Sequence, residues 1–284
     1  MSPESLTADM IGLLRAMFPA PRRVPNLVLV GHSMGGSIAV SLAHALLPAS
    51  SSTPKPIPDV RISGVAVLDV VEGTAMEALE GMEGIVKAQP KGFASVEQAI
   101  RWHVEESNTI QNRESARRSV PPLVIPNPEY QSASAAGQED EEAMEEIQEE
   151  HPEDTSAPFR RGSAQETDLR KYPYIWRADL LSTAPYWSGW FQSLSMRFLS
   201  VKCARLLLLA GTDRLDKDLM IGQMQGKYQL VVYQDVGHCL QEDAPGRTAV
   251  TLIDFWRRNQ TLNITRMVPG QSGRQDVRLN KVGQ

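Results

Sequence analysis

Residues 27–40, LVLVGHSMGGSIAV, decide the fold. The run from Leu27 to Val30 is apolar without interruption, as a strand covered on both faces requires. Gly31, Ser33, Gly35 and Gly36 follow, and the chain then takes up helical spacing to about residue 47. The pattern is strand, tight corner, helix, with Ser33 at the corner. Gly31, Ser33 and Gly35 meet the G-x-S-x-G spacing. A serine hydroxyl is a weak nucleophile and must be lifted clear of the fold beside a base. A strained strand-to-helix turn does this, with glycine on either side for the close backbone approach. The helix that starts here points its N–H groups at developing negative charge, and the N–H of Met34 is a candidate oxyanion-hole donor.

Working outward, residues 2–17 predict a helix capped by Ser2 or Ser5, with Leu6, Met10, Leu13, Leu14 and Met17 at helical spacing. Residues 62–70, ISGVAVLDV, predict a second strand covered on both faces. Helices are expected near 75–88 and 95–106, the second opening with Ser95 and Gln98 as a capping box. Residues 205–211 and 228–234 predict further strands, and 247–258 a helix. Alternating strands and helices predict an α/β protein with a doubly wound, mostly parallel sheet.

Residues 114–168 are rich in Pro, Ser and Glu and poor in aromatics, so most of this stretch is expected to be a disordered insertion. Residues 172–200 hold three of the five tryptophans, Trp176, Trp187 and Trp190, and must pack against something. The expected organisation is a first core part at 1–73, a helical cap at 74–200 carrying the insertion, a second core part at 201–258 and a flexible tail at 259–284.

Residues 139–154 carry ten acids and no Lys or Arg against a chain total of −5, leaving the remainder at +5. No basic cluster is dense enough to argue for nucleic acid. No apolar run is long enough for a membrane helix and no secretory signal opens the chain, so a cytoplasmic or nuclear location is expected. Cys203 and Cys239 read as two reduced thiols, and the five histidines form no metal-ligand spacing.

The base expected beside Ser33 is His238, in VVYQDVGHCLQED (231–243), just past a strand and late in the chain. His32 lies inside the corner, His44 on the following helix, His103 in the cap and His151 in the acidic strip. The order Ser, acid, His leaves Asp69, Asp213 and Asp216 as acids. Asp69 ends the strand after the nucleophile strand. Asp213 follows LLLLAG and is favoured on residue patterning alone. Either aspartate also fits as a turn cap.

Several stretches together resemble the protein phosphatase methylesterases: GHSMGGSIAV (31–40), LDVVEGTAMEAL (68–79), YPYIWRADLLSTAPYWSGWFQSLS (172–195), LLLLAGTDRLDKDLMIGQMQGKYQ (206–229) and GHCLQEDAP (237–245). The resemblance covers most of residues 5–258. It implies an α/β-hydrolase fold and removal of the methyl ester from the C-terminal leucine of the type 2A protein phosphatase catalytic subunit. It places the acid on Asp69 of DVVEG, reversing the preference for Asp213. Ser33, Asp69 and His238 become the expected catalytic residues and Met34 the oxyanion donor, with no metal or organic cofactor. Trp176 and Met224 become candidates for holding the peptide tail, against the alternative of ordinary core or loop residues.

Only 26 residues precede Leu27, and they hold one helix and no strand. No glycine-rich loop supplies a second oxyanion donor. The sequence therefore resembles the family without its N-terminal third. Strand 27–31 is expected at a bare sheet edge, and the chain alone is expected to show weak or no esterase activity. The competing readings are a catalytically incomplete phosphatase-binding protein and a small-molecule esterase or lipase of the same fold.

Overall fold

The computed structural model describes residues 1–47, 54–131, 169–211 and 215–262. Four parallel strands form the main sheet in the order β1-β2-β6-β7: β1 (Leu27–His32), β2 (Ile62–Leu68), β6 (Ala204–Ala210) and β7 (Gln229–Tyr233). The sheet is wholly parallel because each strand is followed by a connection long enough to return over a face. In β2 every residue is buried, and alternate side chains serve opposite faces.

Val65 and Val67 of β2, with Leu207 and Leu209 of β6, face one layer of helices: α2 (Met34–Leu46), α3 (Glu72–Ala88), α6 (Trp187–Phe191) and α7 (Leu194–Ser200). Trp187, Trp190 and Phe191 are buried in this cluster, so the aromatic-rich segment does pack against the sheet side of the molecule. On the other face, Ala66, Leu68, Leu206 and Leu208 meet Leu240 of α9 (Leu240–Asp243) and Phe255 of α10 (Pro245–Leu262). Each fully buried Leu or Phe side chain contributes about 1.5–3 kcal/mol relative to exposure. α10 passes close over Gly64 of β2: a Cβ there would lie 2.5 Å from the Phe255 ring.

β1 is an outer strand of this sheet, paired only with β2 among the described residues. It is mostly half-buried rather than covered on both faces, and Val30 is 47% exposed. α1 (Pro3–Met17), capped by the Ser2 hydroxyl on the Ser5 N–H, packs on α2. It buries Thr7 and Leu14, with Ile11 against the same cluster, while Met10, Leu13 and Met17 of the expected stripe face outward. The spacing 7, 11, 14 satisfies helical periodicity as well as the larger side chains do.

A second, smaller sheet has the order β3-β5-β4, with β3 (Gly92–Phe93) and β4 (Val124–Pro126) both antiparallel to β5 (Tyr174–Trp176). α4 (Val96–Arg101) begins as expected: Ser95 Oγ accepts the Gln98 N–H at 3.2 Å. The Gln98 side chain reaches back to the Ala94 N–H at 2.6 Å rather than to that of Ser95. A π-helical turn at Trp102–Glu106 follows.

Two stretches carry more regular structure than the expected organisation gives them. Residues 113–131, nearly all within the stretch 114–168 of which most is expected to be disordered, carry α5 (Arg113–Ser119), a 3-10 turn at Pro121–Leu123 and β4. Ala116, Val120 and Val124 are buried with Phe93, Ala99 and Ile110, and these few well-spaced apolar residues order a segment whose overall composition is polar. α10 also runs to Leu262, past the expected start of the tail at 259. The acidic strip at 139–154, with His151, lies outside the described residues, as does Asp213.

Candidate active site

The corner after β1 holds Ser33 at φ 52°, ψ −124°, a strained backbone for a residue with a Cβ. Its N–H donates to the Leu68 carbonyl at 2.9 Å, and its own carbonyl accepts the Gly36 N–H at 2.8 Å. The corner is pinned to the end of β2 on one side and wound into α2 on the other. The glycines divide the work differently from the expectation. A Cβ on Gly31 would lie 2.0 Å from the Gly35 carbonyl oxygen, and one on Gly36 would lie 3.0 Å from Val67 and Val70. A Cβ on Gly35 would meet nothing within 4 Å. Gly31 and Gly36 permit the close approach, and Gly35 supplies the backbone that is approached. Met34 opens the 13-residue α2, so its N–H is among those a helix leaves without an intrahelical partner.

Asp69 follows β2 directly, at φ 48°. Its N–H donates to Leu208 of β6 at 2.7 Å, and its side chain is fully buried. Oδ1 accepts the Ala210 N–H at 2.8 Å and Oδ2 meets His238 Nδ1 at 2.7 Å. The carboxylate is thus fixed by the ends of two strands. A carboxylate accepts, so Nδ1 of His238 carries the proton and Nε2 of the neutral ring keeps its lone pair.

His238 lies in the turn between β7 and α9, with its side chain 52% exposed. Asp243 of α9 shapes that turn. Its Oδ2 accepts the Gly237 N–H at 2.8 Å, and its Oδ1 accepts the Gln111 N–H at 2.7 Å, tying the loop to the cap. His32, the residue before Ser33, has its ring centroid 4.5 Å from that of His238. The serine corner and the Asp69–His238 pair are therefore neighbours. Among the described residues the Ser33 hydroxyl has no hydrogen-bonded partner, and in enzymes without substrate such contacts are often long.

The other candidates fall elsewhere. Asp216 caps α8 (Lys217–Met224): Oδ1 accepts the Leu219 N–H at 2.9 Å and Oδ2 accepts the buried Ser195 hydroxyl. Trp176 donates Nε1–H to the Pro90 carbonyl at 2.7 Å, and its ring meets Phe93, Trp102 and His103 edge-on, with centroids 5.1, 5.8 and 5.7 Å away. Cys239, next to His238, packs against this same cap cluster. Met224 ends α8 and is 89% exposed. His44 donates to the Arg197 carbonyl and His103 to that of Ala99, each at 2.8 Å.

Burial pushes the Cys239 thiol up to about 11, with the acids Asp243, Glu242 and Asp69 adding to it, and burial pushes Cys203 to about 11 as well. Neither thiol is a ready nucleophile near neutral pH. Among the described residues no group of three His, Cys, Asp or Glu could hold a metal, and no helix is long and apolar enough to cross a membrane.

Sequence reasoning missed Glu72, in the first turn of α3. Its Oε1 accepts the Ser193 N–H at 2.7 Å and its Oε2 the Ser195 N–H at 3.1 Å, so it anchors the start of α7. An acid three residues after Asp69 at a helix start was the available signal. The place of His32 inside the corner gives no sign in the sequence that its ring touches His238.

The Alpha/beta hydrolase family model matches residues 2–251. The chain is 42% identical over 288 residues to protein phosphatase methylesterase 1 of Cryptococcus neoformans, covering all of this chain and 58% of that protein. It is 45% identical over 240 residues to the protein of that name in Yarrowia lipolytica (84% of this chain, 45% of the other). Against that of Neurospora crassa the figures are 42% over 262 residues, 91% and 50%. The chain thus spans about half the length of the curated relatives it matches. Among solved structures, E-2-(acetamidomethylene)succinate hydrolase aligns with TM-score 0.57 at 15% identity, covering 90% of this chain and 74% of that one. At that identity the likeness speaks for the fold.

Proposed function

The chain belongs to the alpha/beta hydrolase family, and from that premise we propose that it is a serine carboxylesterase acting on a protein methyl ester. The substrate in this reading is the methylated C-terminal leucine of the type 2A protein phosphatase catalytic subunit, met in the cytoplasm or nucleus. The observation that carries the reading is the buried Asp69 carboxylate 2.7 Å from His238 Nδ1, beside the corner that bears Ser33. The similarity to protein phosphatase methylesterases over the full length of this chain supports the choice of ester.

The mechanism is a two-step acyl transfer. Ser33 attacks the ester carbonyl while His238 Nε2 takes its proton, and Asp69 holds the ring in the right tautomer and steadies the imidazolium. The Met34 N–H stabilises the oxyanion. Methanol leaves with the proton from His238, and water activated by the same ring releases the free carboxylate. The cap, with Trp176 in its aromatic cluster, is the side assigned to the peptide tail, and Met224, exposed on α8 in the second core part, is the other residue assigned to it.

Incubation with a fluorophosphonate probe, followed by peptide mapping, tests the reading. Label on Ser33, lost in Ser33→Ala, is the expected result. Weak hydrolysis of a leucyl methyl ester peptide, still in preference to a short acyl ester, is expected alongside it. Label elsewhere, or none, removes the serine-esterase reading.

A further inference from the structure

His32 comes from the same turn as Ser33 and makes two contacts with His238. Its Nε2 lies 2.8 Å from the His238 main-chain carbonyl oxygen, and the two rings lie 4.5 Å apart between centroids with their planes at 48°. A carbonyl only accepts, so Nε2 carries the proton and donates. His238 is therefore gripped at two places by groups that restrain different motions. Asp69 holds Nδ1, which fixes the tautomer and one edge of the ring. His32 holds the main chain that carries the ring and lies against the ring itself.

The second grip matters because of where His238 sits. It is in a turn between β7 and α9, and its side chain is half exposed. Asp243 ties Gly237 on one side, but the carbonyl of His238 itself is held by His32. Because His32 adjoins Ser33 in the chain, the path from nucleophile to base is short: one peptide unit, one ring, one hydrogen bond. The corner that presents the hydroxyl also aims the base. Burial first, and the facing His238 ring second, hold the His32 pKa below the ordinary histidine value, so the ring is neutral at neutral pH. A charged ring at this distance would oppose the imidazolium that forms on His238 during acyl transfer.

We infer that His32 is a positioning residue for His238, its Nε2 donor on the His238 main-chain carbonyl and its ring against the imidazole keeping the base aimed at Ser33. The inference rests on the serine-esterase reading above for its functional meaning. His32 touches no reacting atom and acts through His238. Two features contribute: a donor at the reach of Nε2, which carries the larger share, and a flat ring against the imidazole. Glutamine supplies the donor without the ring, and phenylalanine the ring without the donor. Asparagine stops short of the carbonyl.

The experiment compares the full wild-type chain with His32→Gln, His32→Phe and His32→Asn. Three readouts are taken: the rate of fluorophosphonate labelling at Ser33, the thermal midpoint, and the downfield proton NMR signal of the His238 Nδ1–H bonded to Asp69. His32→Phe is expected to slow labelling about 10–100-fold, the scale of a small misplacement of reacting groups, and to shift or broaden the signal. His32→Gln is expected to keep the signal and most of the rate, with ester KM unchanged across the series and the loss in kcat. If His32→Phe does not fold, His32→Asn takes its place with the same expectation.

Wild-type labelling and an unmoved signal in His32→Phe or His32→Asn overturn the inference. So does an equal loss in the glutamine variant that follows a falling thermal midpoint. A wild-type chain that takes no label at Ser33 sinks the esterase reading instead, and the NMR signal still decides the positioning role.

Discussion

Asp69 and His238 stand 169 residues apart in the chain and 2.7 Å apart in space, with the other Asp69 oxygen held by the Ala210 N–H at 2.8 Å. The fully buried carboxylate has no freedom to swing away from the imidazole. In the proposed mechanism the choice of acid then rests on geometry rather than on pattern. Asp69→Asn keeps the volume and the Ala210 bond but presents an amide where a carboxylate accepted Nδ1–H. The ring then turns to the wrong tautomer. Labelling of Ser33 and ester hydrolysis are expected to fall by about 10⁴, with the thermal midpoint nearly unchanged. A variant retaining more than a tenth of the wild-type rate would contradict the assignment.

Asp216 gives the matching control. It caps α8 and takes the hydroxyl of Ser195, which is only 2% exposed. Removing a cap costs about 0.5–2 kcal/mol, and leaving a buried hydroxyl without its partner costs about 1–3 kcal/mol more. Asp216→Ala is expected to lower the urea midpoint while Ser33 still labels under native conditions. Abolished labelling in a variant that remains folded would return Asp216 to the list of acids.

The glycines of the corner separate in the same way. Gly31→Ala drives a Cβ to 2.0 Å from the Gly35 carbonyl, against backbone that has nowhere to go. Loss of labelling and a large drop in thermal midpoint are expected. Gly35→Ala meets nothing within 4 Å and sits in the first turn of α2. There it exchanges glycine for a better helix former, worth up to about 1 kcal/mol. Its thermal midpoint is expected to stay level or rise. Equal damage from the two changes would mean that the strand and helix do not meet as described.

The sheet and the corner were legible in the sequence for one physical reason. β2 and β6 are covered on both faces over most of their length, so Val65–Leu68 and Leu206–Ala210 are unbroken apolar runs whatever lies around them. Ser33 declares itself because glycine spacing and a strand-to-helix change coincide. The cap was much less legible. β3 and β5 are two and three residues long, too short for any periodicity, and α5 owes its order to Ala116 lying against the Phe93 cluster. The acid was ambiguous on patterning, which favoured Asp213, a residue outside the described ones, because every candidate follows or flanks a strand or helix end, Asp69 and Asp216 included. What separates them is a distance to a residue late in the chain, which local sequence does not encode. His32 was overlooked for the same reason.

Both cysteines are expected to be inert near neutral pH. Each thiol is pushed to about 11, Cys203 by burial and Cys239 by burial and neighbouring acids. Iodoacetamide at pH 7.5 is expected to alkylate them on the order of a hundredfold more slowly than a free cysteine of ordinary pKa. Fast alkylation of Cys239 in the native chain, mapped by mass spectrometry, would show that the loop after His238 opens.

Acid sensitivity follows from two histidines that the fold desolvates, the half-buried His32 and the buried His103. His32 is held below 6.5 by burial and then by the facing His238 ring, and His103 by burial, which outweighs its bond to Ala99. Unfolding returns both to about 6.5, so just below that pH the unfolded chain binds more protons than the folded one. Stability therefore rises with pH through this window. It is fully present above about 6.5 and is lost as pH falls from there through the folded values. Glu4, Glu83, Glu97 and Asp235 also have lowered values, but they titrate below 4.5 and do not enter the window. Urea unfolding at pH 7.5, 6.5 and 5.5 is expected to give a falling midpoint toward acid. His103→Asn, whose amide still donates to the Ala99 carbonyl, is expected to flatten that fall without removing it, because His32 continues to titrate. A midpoint independent of pH across this range would mean that neither imidazole is kept neutral by the fold.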